Sequence, residues 1–374
     1  MSNAVSIGLL LPNSTIVPMS RDFEKGIKSA LKEHVEANAW EIEYVPEFIG
    51  DGSREKVDAA FNKFYGYYSV DLIAGIVSNR TLMGLSDKLA KRKKPTLISN
   101  LGEHLPDTRL MSSVQLNSFN YWQQVWALGK WGVEKFGPKG MLVSGLYDAG
   151  YAFPSALSLG MTAADPTSVM PFAIAPLKDA GKLADVNSTF PHIENYEPDF
   201  IFATFCEAEA ALFLQEFQRR GLHKKYPLLG LPHLLAPFEG TGEKLDVYTS
   251  LSLNRMWKGP EDSMQIEEIV DKPFFLLGYE SGLLIAQALK VGGPDMLNSP
   301  LVEDSVDGIR GKISATVQNQ GNSAQIYLVN NQFDGKNNIR KIAQQLETIC
   351  VNDERITALL DQPSSGWYNP YLGI

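Results

Sequence analysis

Apolar and polar positions alternate along this chain in blocks: short apolar runs, then longer stretches in which apolar residues recur every three or four positions. Val5 to Leu11 is the first run, and a polar loop from Pro12 to Ser20 leads into a stretch with Phe23, Ile27, Ala30 and Leu31 on one helical face. Trp40 to Val45 alternates as a strand does. Asp51, Gly52 and Ser53 then cap a helix with Val57, Ala60, Phe61 and Phe64 turned inward. Asp71 to Val77 is a third strand, trailed by Leu82, Leu85 and Leu89 at helical spacing, and Pro95 to Ser99 is a fourth. Strand and helix in repeated succession predict a parallel, doubly wound α/β sheet.

After a helix over Phe119 to Phe136, in which Trp122, Trp126 and Trp131 are spaced for packing, the pattern restarts. Gly140 to Leu146, Ser168 to Phe172, Asp199 to Thr204, Pro227 to Gly230 and Asp246 to Leu251 read as strands. Helices are predicted over Tyr151 to Met161, Leu183 to His192 and Glu207 to Arg220, the last stopped by Gly221. Asn254 to Lys272 is polar, and Phe274 to Leu289 is apolar enough for a buried helix. Gly308 to Ser314 and Ala324 to Val329 resemble strands joined by a turn over Asn319 to Asn322, while Ser364 to Tyr371 is a loop whose aromatics pack on a surface. At 374 residues the chain is too long for one ordinary core, so two domains of like architecture are expected, with no residue-level repeat between them.

The stretch with most chemistry in it is Asp71 to Leu82. Its strand is apolar throughout, as one buried on both faces must be, and Ser78 or Asn79 caps a helix that starts directly at the strand's carboxyl end. Such a junction turns backbone N–H groups, a hydroxyl and the positive end of a helix dipole toward an anion. In open α/β sheets that end of the strands is where ligands bind.

Composition narrows the function. Apolar residues make up 44% and charged residues 21%, as in soluble globular proteins, and no apolar run is expected to reach the roughly 20 residues that cross a bilayer. A formal charge of −9 argues against nucleic acid or an anionic membrane as partner. The one basic run, Lys91 to Lys94, suits a helix C-terminus. Cys206 and Cys350 are expected to be free, buried thiols. Met1 to Ala4 reads as a start codon with a vector-derived scar before a strand beginning at Val5, so a native signal peptide is expected to have been removed. Phosphate-binding loops, dinucleotide fingerprints, nucleophile elbows, paired cysteines and histidine pairs at metal spacing are all missing from the sequence, and His34, His104, His192, His223 and His233 are scattered. That leans toward binding without catalysis, metal or cofactor.

Ile7 to Pro12, Phe23 and Gly26 in the first helix, Ile73 to Ser78, Pro95 to Ser99, Tyr147 to Tyr151, Pro198 to Phe202, Gln218 to Leu222 and Gly278 to Ser281 occur in an order that resembles a known family. It is the type I periplasmic solute-binding proteins of ABC importers, and within them the branched-chain amino-acid-binding (Leu/Ile/Val-binding-like) group. The resemblance spans about Val5 to Val329. It implies two Rossmann-like lobes with a three-crossover hinge: residues 5–120 with 254–320, and residues 121–253 with 321–374. Crossovers then lie near Asn120, Leu253 and Gln320. It implies an extracytoplasmic, mostly monomeric receptor that closes on a small carboxylate-bearing solute, an amino acid or related organic acid, and delivers it to a membrane permease. A sensor domain of the same fold is the alternative, an α/β enzyme a more distant one.

Position by position, the resemblance assigns Ser78 and Asn79 to the solute carboxylate and Asn100 and Gly102 to a second first-lobe contact. Tyr151 becomes an aromatic closing from the second lobe, Phe205 or Cys206 a neighbouring contact, and Phe274 a side-chain pocket residue. One departure stands out. Around Leu231 to Leu234 the family carries an acid for the solute's ammonium, and this chain has His233 there instead. Glu103, Asp148 and Glu207, each just past a strand end, are the candidate replacements, with Asp148 also a candidate helix cap.

Overall fold

The computed structural model describes residues 3–14, 17–35, 40–107, 114–177, 183–235, 243–256, 272–299, 302, 306–313, 325–334 and 338–361. The first 118 residues build one sheet. Its strands are β1 (Asn3–Pro12), β2 (Trp40–Gly50), β3 (Leu72–Ile76), β4 (Thr96–Asn100) and β5 (Gln115–Ser118), all parallel in the order β2-β1-β3-β4-β5. Helices α1 (Met19–Val35), α2 (Arg54–Asn62), α3 (Asn79–Met83) and α4 (Ser86–Arg92) form the crossovers. β2 continues past Pro46, where the alternation ended, because it is an edge strand and an edge tolerates a missing N–H.

The second sheet starts after α5 (Tyr121–Phe136). In chain order come β6 (Gly140–Ser144), α6 (Leu146–Ala149), α7 (Phe153–Ala164), β7 (Phe172–Ile174), α8 (Phe190–Tyr196), β8 (Phe200–Thr204), α9 (Glu207–Arg219), β9 (Leu228–Gly230) and β10 (Leu245–Leu253). Five of its strands, β7-β6-β8-β9-β10, are parallel and repeat the order of the first sheet. Beyond α10 (Pro273–Val291) lie a minimal hairpin, β11 (Asp307–Gly308) and β12 (Gly311–Lys312), then β13 (Gln325–Phe333), β14 (Asn338–Leu346) and α11 (Glu354–Leu360). β13 and β14 extend the second sheet antiparallel to β10 and to each other.

Several expectations are corrected. Among the described residues, 308–313 and 325–329 do not pair with one another: the former fold back on themselves, and the latter belong to β13 against β10. The strand expected over Ser168 to Phe172 is displaced to β7, since Val169 makes only an isolated bridge to Lys139. The weak helix over Leu183 to His192 is a 3-10 turn, Val186–Thr189, followed by α8. α10 has 19 residues and is long and apolar enough by length and composition to cross a bilayer, contrary to the sequence estimate; 67% of its apolar window is buried. Cys350 is exposed rather than buried, and both cysteines are free. Gln320, the turn over Asn319 to Asn322 and the loop Ser364 to Tyr371 lie outside the described residues.

α10 returns to the first sheet and packs on α1. Glycines let the two backbones meet: a Cβ on Gly26 would stand 2.2 Å from Phe275 O, and one on Gly278 2.1 Å from Phe23 O. No side chain fits there. Trp122 and Trp126 are buried in an apolar cluster that continues through both halves, and Trp131 packs on Phe136 and Tyr248, as packing residues should.

A buried ion pair sits where the chain passes between the sheets. Arg310 Nη2 lies 2.6 Å from Glu280 Oε2 and donates to Asn117 Oδ1 at 2.7 Å; Nη1 donates to Ser118 O at 2.9 Å. The guanidinium also stacks 4.4 Å from the centroid of the Phe119 ring. Its backbone carbonyl accepts from Asn254 N at 2.7 Å. One arginine therefore holds the end of β5, the residue after β10 and the helix α10 together.

Candidate functional site

In both sheets the order reverses beside the first strand of each unit, between β1 and β3 and between β6 and β8. Crevices at such switch points are the ligand sites of doubly wound sheets. Ser78 and Asn79 follow β3, and Asp148 and Cys206 follow β6 and β8, so most of the candidates collect at these ends.

Ser78 is the N-cap the sequence suggested. Its Oγ accepts from Thr81 N at 3.2 Å, and Thr81 Oγ1 in turn donates to Gly52 O at 2.9 Å. Asn79 Nδ2 donates to His104 O at 2.8 Å, and its Oδ1 accepts from Asn100 Nδ2 at 2.8 Å. Asn100 Nδ2 also donates to Val77 O at 3.1 Å, and its Oδ1 accepts from Gly102 N at 3.0 Å. Asn79, Asn100 and Gly102 thus form one buried network that shapes the turn over residues 100–104, and Ser78 bonds apart from it. Gly102 has φ +74°, and a Cβ there would fall 2.5 Å from Asn120 Cα. Only glycine meets both conditions.

That turn reaches the second sheet. Glu103 O accepts from Ala152 N at 2.9 Å, and the His104 ring meets the Tyr151 ring edge-on with centroids 5.6 Å apart. Tyr151, buried, thus packs against the turn that follows β4.

Past β6, Asp148 is fully buried on the short helix α6, with its Oδ1 3.5 Å from His233 Nε2. Among the described residues no nitrogen or oxygen donor bonds to either Asp148 oxygen, and the Cys206 thiol beside it is a weak donor. Burial, then the charge of Asp148, pushes the Cys206 thiol well up, so it is no nucleophile. Of the pair Phe205 and Cys206, it is Cys206 that stands at this site; Phe205 stacks on Phe213 at 4.7 Å in the second lobe's core. Phe274 is buried in the apolar cluster at the start of α10. Glu207 is exposed to solvent, yet partial desolvation raises its pKa, while the charge of His233 opposes this.

Glu103 is the most perturbed acid of the group. Its carboxyl is buried with neither oxygen in a well-formed hydrogen bond among the described residues, and burial raises its pKa from 4.5 to about 7, the nearby N–H groups of its own turn opposing only part of that. Three participants escaped sequence reading: His104; Tyr121, whose ring stacks 5.8 Å from His233; and Glu209, whose Oε1 accepts from Ala184 N at 2.7 Å. Glu209 did carry a signal, since it stands three residues after Cys206, the N-cap of α9.

Comparison with known proteins agrees with this geometry. A family model described as periplasmic binding protein matches residues 4–336. The chain belongs to the periplasmic binding protein family. A periplasmic binding protein of this order of strands has the type I fold, two α/β lobes with parallel sheets, and it is a solute-binding protein, not an enzyme. Among solved structures, an ABC transporter substrate-binding protein from Sphaerobacter thermophilus is 20% identical, with 94% of this chain and 99% of that one covered and a TM-score of 0.68. A Rhodopseudomonas palustris solute-binding protein in complex with benzoate is 19% identical over 95% and 99%, TM-score 0.67. The leucine-binding protein LivK of Thermotoga maritima is 17% identical over 92% and 99%, TM-score 0.61. A search of curated proteins gives no match.

Proposed function

We propose that this periplasmic binding protein is the extracytoplasmic receptor of an ABC importer, capturing a small carboxylate-bearing solute, an amino acid or related organic acid, and passing it to a membrane permease. The lobes are taken as residues 5–120 with 254–320 and residues 121–253 with 321–374, and the receptor as a monomer. The observation that carries the reading is the meeting of the two sets of strand ends: the turn after β4 bonds to Ala152 and stacks on Tyr151, while buried polar groups from both lobes gather at the switch points. A solute enclosed there exchanges water for contacts with both lobes, and only contacts with both favour the closed state. Structures with this fold carry benzoate in one case and the name of a leucine-binding protein in another, so both solute types are tested.

Ser78 and Asn79 are assigned to the solute's carboxylate, with Asn100 and Gly102 shaping the turn beside them and Tyr151 closing over it. Their side chains are already hydrogen-bonded to the protein, so the contacts left to the solute come from the backbone and from re-aimed hydroxyl and amide groups. The double variant Ser78→Ala with Asn79→Ala is expected to keep its fold, at a cost of about 1–2 kcal/mol for the lost cap and amide bonds, and to lose solute affinity by tenfold or more. Calorimetric titration beside circular dichroism reads both. Unchanged affinity removes these residues from the site; a solute recovered unchanged but without compaction in solution scattering removes the closing mechanism.

A further inference from the structure

The second sheet ends on one side at β7, which among the described residues pairs only with β6. Phe172 and Ile174 point outward from this edge, 63% and 42% exposed, and Val169 just before it is 51% exposed. Beside them runs an open groove of about 430 Å³. α7 contributes Ser158, Leu159 and Thr162 to it, the strand side Met170 and Phe172, and α11 Leu359; none of its lining side chains is charged. Apolar residues gathered at an unpaired strand edge invite association, and natural proteins cover or charge such edges. Here nothing charged stands at the groove to protect it. The helix that lends Leu359 ends at Leu360, with Asp361 as its C-cap, so the chain leaves α11 two residues from the groove.

The sequence beyond that point suits the groove. Gln362 to Ile374 carries no charged side chain in a chain that is 21% charged, and it holds Trp367, Tyr368, Tyr371, Leu372 and Ile374. That is the reverse of the polar, charged composition of a segment that stays in solvent. We propose that Gln362 to Ile374 turns back along its own lobe and seats Trp367 in the groove against Phe172, covering the sheet edge at β7. Pro363, Ser364, Ser365 and Gly366 are residues of the kind that reverse a chain. Trp367 follows Asp361 by six positions, a reach of up to about 20 Å. The α7 side of the groove, Ser155 to Thr162, is only about 10 Å long. The indole ring lies on Leu159, Met170 and Phe172, and its N–H finds a hydroxyl acceptor in Ser158 or Thr162. Neither surface has a charge to desolvate on contact. So short a tether holds the segment at an effective concentration in the millimolar range, which favours it over a second copy or a free partner. The contact is independent of what the receptor binds.

The test is native-state hydrogen exchange of the whole chain, read on peptides covering 362–374, in the parent and in Phe172→Ser and Thr162→Arg. Both substitutions fall at exposed positions, so each variant is expected to keep the circular dichroism of the parent. In the parent the amides around Trp367 are expected to exchange about tenfold or more slowly than in an unstructured peptide of the same sequence, and in either variant to come within about twofold of it. Acrylamide quenching of Trp367, taken as the difference between the parent and Trp367→Phe, is expected to be weak and to rise when Thr162→Arg is added to both. Unprotected amides in the parent overturn the proposal. Protection that survives both groove variants overturns it too, by placing the segment elsewhere. Protection that appears only as the protein is concentrated does the same, because the groove is then covered by a second copy.

Discussion

Glu103→Gln should abolish a pH dependence that the parent protein shows, and the size of that effect follows from burial. The carboxyl of Glu103 is raised from 4.5 to about 7 in the folded state because the charged form is desolvated. An acid with a raised folded pKa favours the folded state while both forms are protonated, below about pH 4.5, and the contribution is lost as pH climbs through about 7. At about 1.4 kcal/mol per unit the whole loss is about 3 kcal/mol, and roughly 2–3 kcal/mol of it falls between pH 5 and pH 8. Asp51, Asp165, Glu197, Glu216, Glu243 and Asp353 are shifted downward by their partners and act at more acidic pH, outside this window. Glu207 and Glu209 shift upward like Glu103 and remain in the variant, so the difference between the two proteins isolates one residue. The assay is urea unfolding without solute at pH 5, 6, 7 and 8 for parent and variant. The parent's stability should fall more steeply across that range, by about 2–3 kcal/mol in total. The absolute offset at pH 5 matters less, because the new amide has donors of its own to place. Parallel pH profiles would refute the claim that burial of the Glu103 carboxyl outweighs the N–H groups of its own turn.

Other expectations reach different parts of the molecule. Arg310→Met leaves Glu280 buried and unpaired, which should cost about 3–5 kcal/mol, and Arg310→Met with Glu280→Leu should recover much of it; equal stability of single and double variants in urea would show the pair is not coupled. Gly102→Ala, placing a Cβ 2.5 Å from Asn120 Cα at φ +74°, should lower stability by more than the ~1 kcal/mol of left-handed backbone alone, and a Tm within a degree of the parent would contradict it. A thiol reagent should label Cys350 within minutes in the native protein and Cys206 only on unfolding, since Cys206 is buried with its pKa pushed up; two fast thiols would mean the second lobe opens readily.

Much of the frame was legible because parallel strands buried on both faces leave unbroken apolar runs. Asp71 to Val77 and Asp199 to Thr204 are of that kind, and β3 and β8 stand there. β14 was missed for the opposite reason. Its apolar residues Ile339, Ile342 and Leu346 fall at spacings of three and four, which mimic a helix; the bulge opposite Leu328 and Val329 puts Ile342, paired with Val329, and Leu346, paired with Ile326, on opposite faces, both buried, and Ile339 is exposed. β5, with only four residues, Gln115–Ser118, offers too short a pattern. At the site, Ser78 was readable because a cap has a local signature. The burial of Glu103 and Asp148 was not, since burial is a property of every element packed around a side chain and leaves no mark in the residues beside it. Arg310 and Glu280, 30 positions apart on unrelated elements, are illegible for the same reason.

The order in which the chain supplies its parts bears on how the protein is made. The first sheet is finished by Ser118, but the helix that covers it beside α1 does not emerge until Pro273–Val291. The second sheet has its parallel strands by Leu253, yet β10 keeps an open edge until β13 and β14 arrive at 325–346. Each half is thus left waiting for a piece from the last third of the chain, and contacts so distant in sequence slow folding and keep apolar edges uncovered meanwhile. A polypeptide emerging from its N-terminus cannot lock either half prematurely. For the extracytoplasmic receptor proposed above, such delayed closure keeps the chain threadable until its last third has emerged.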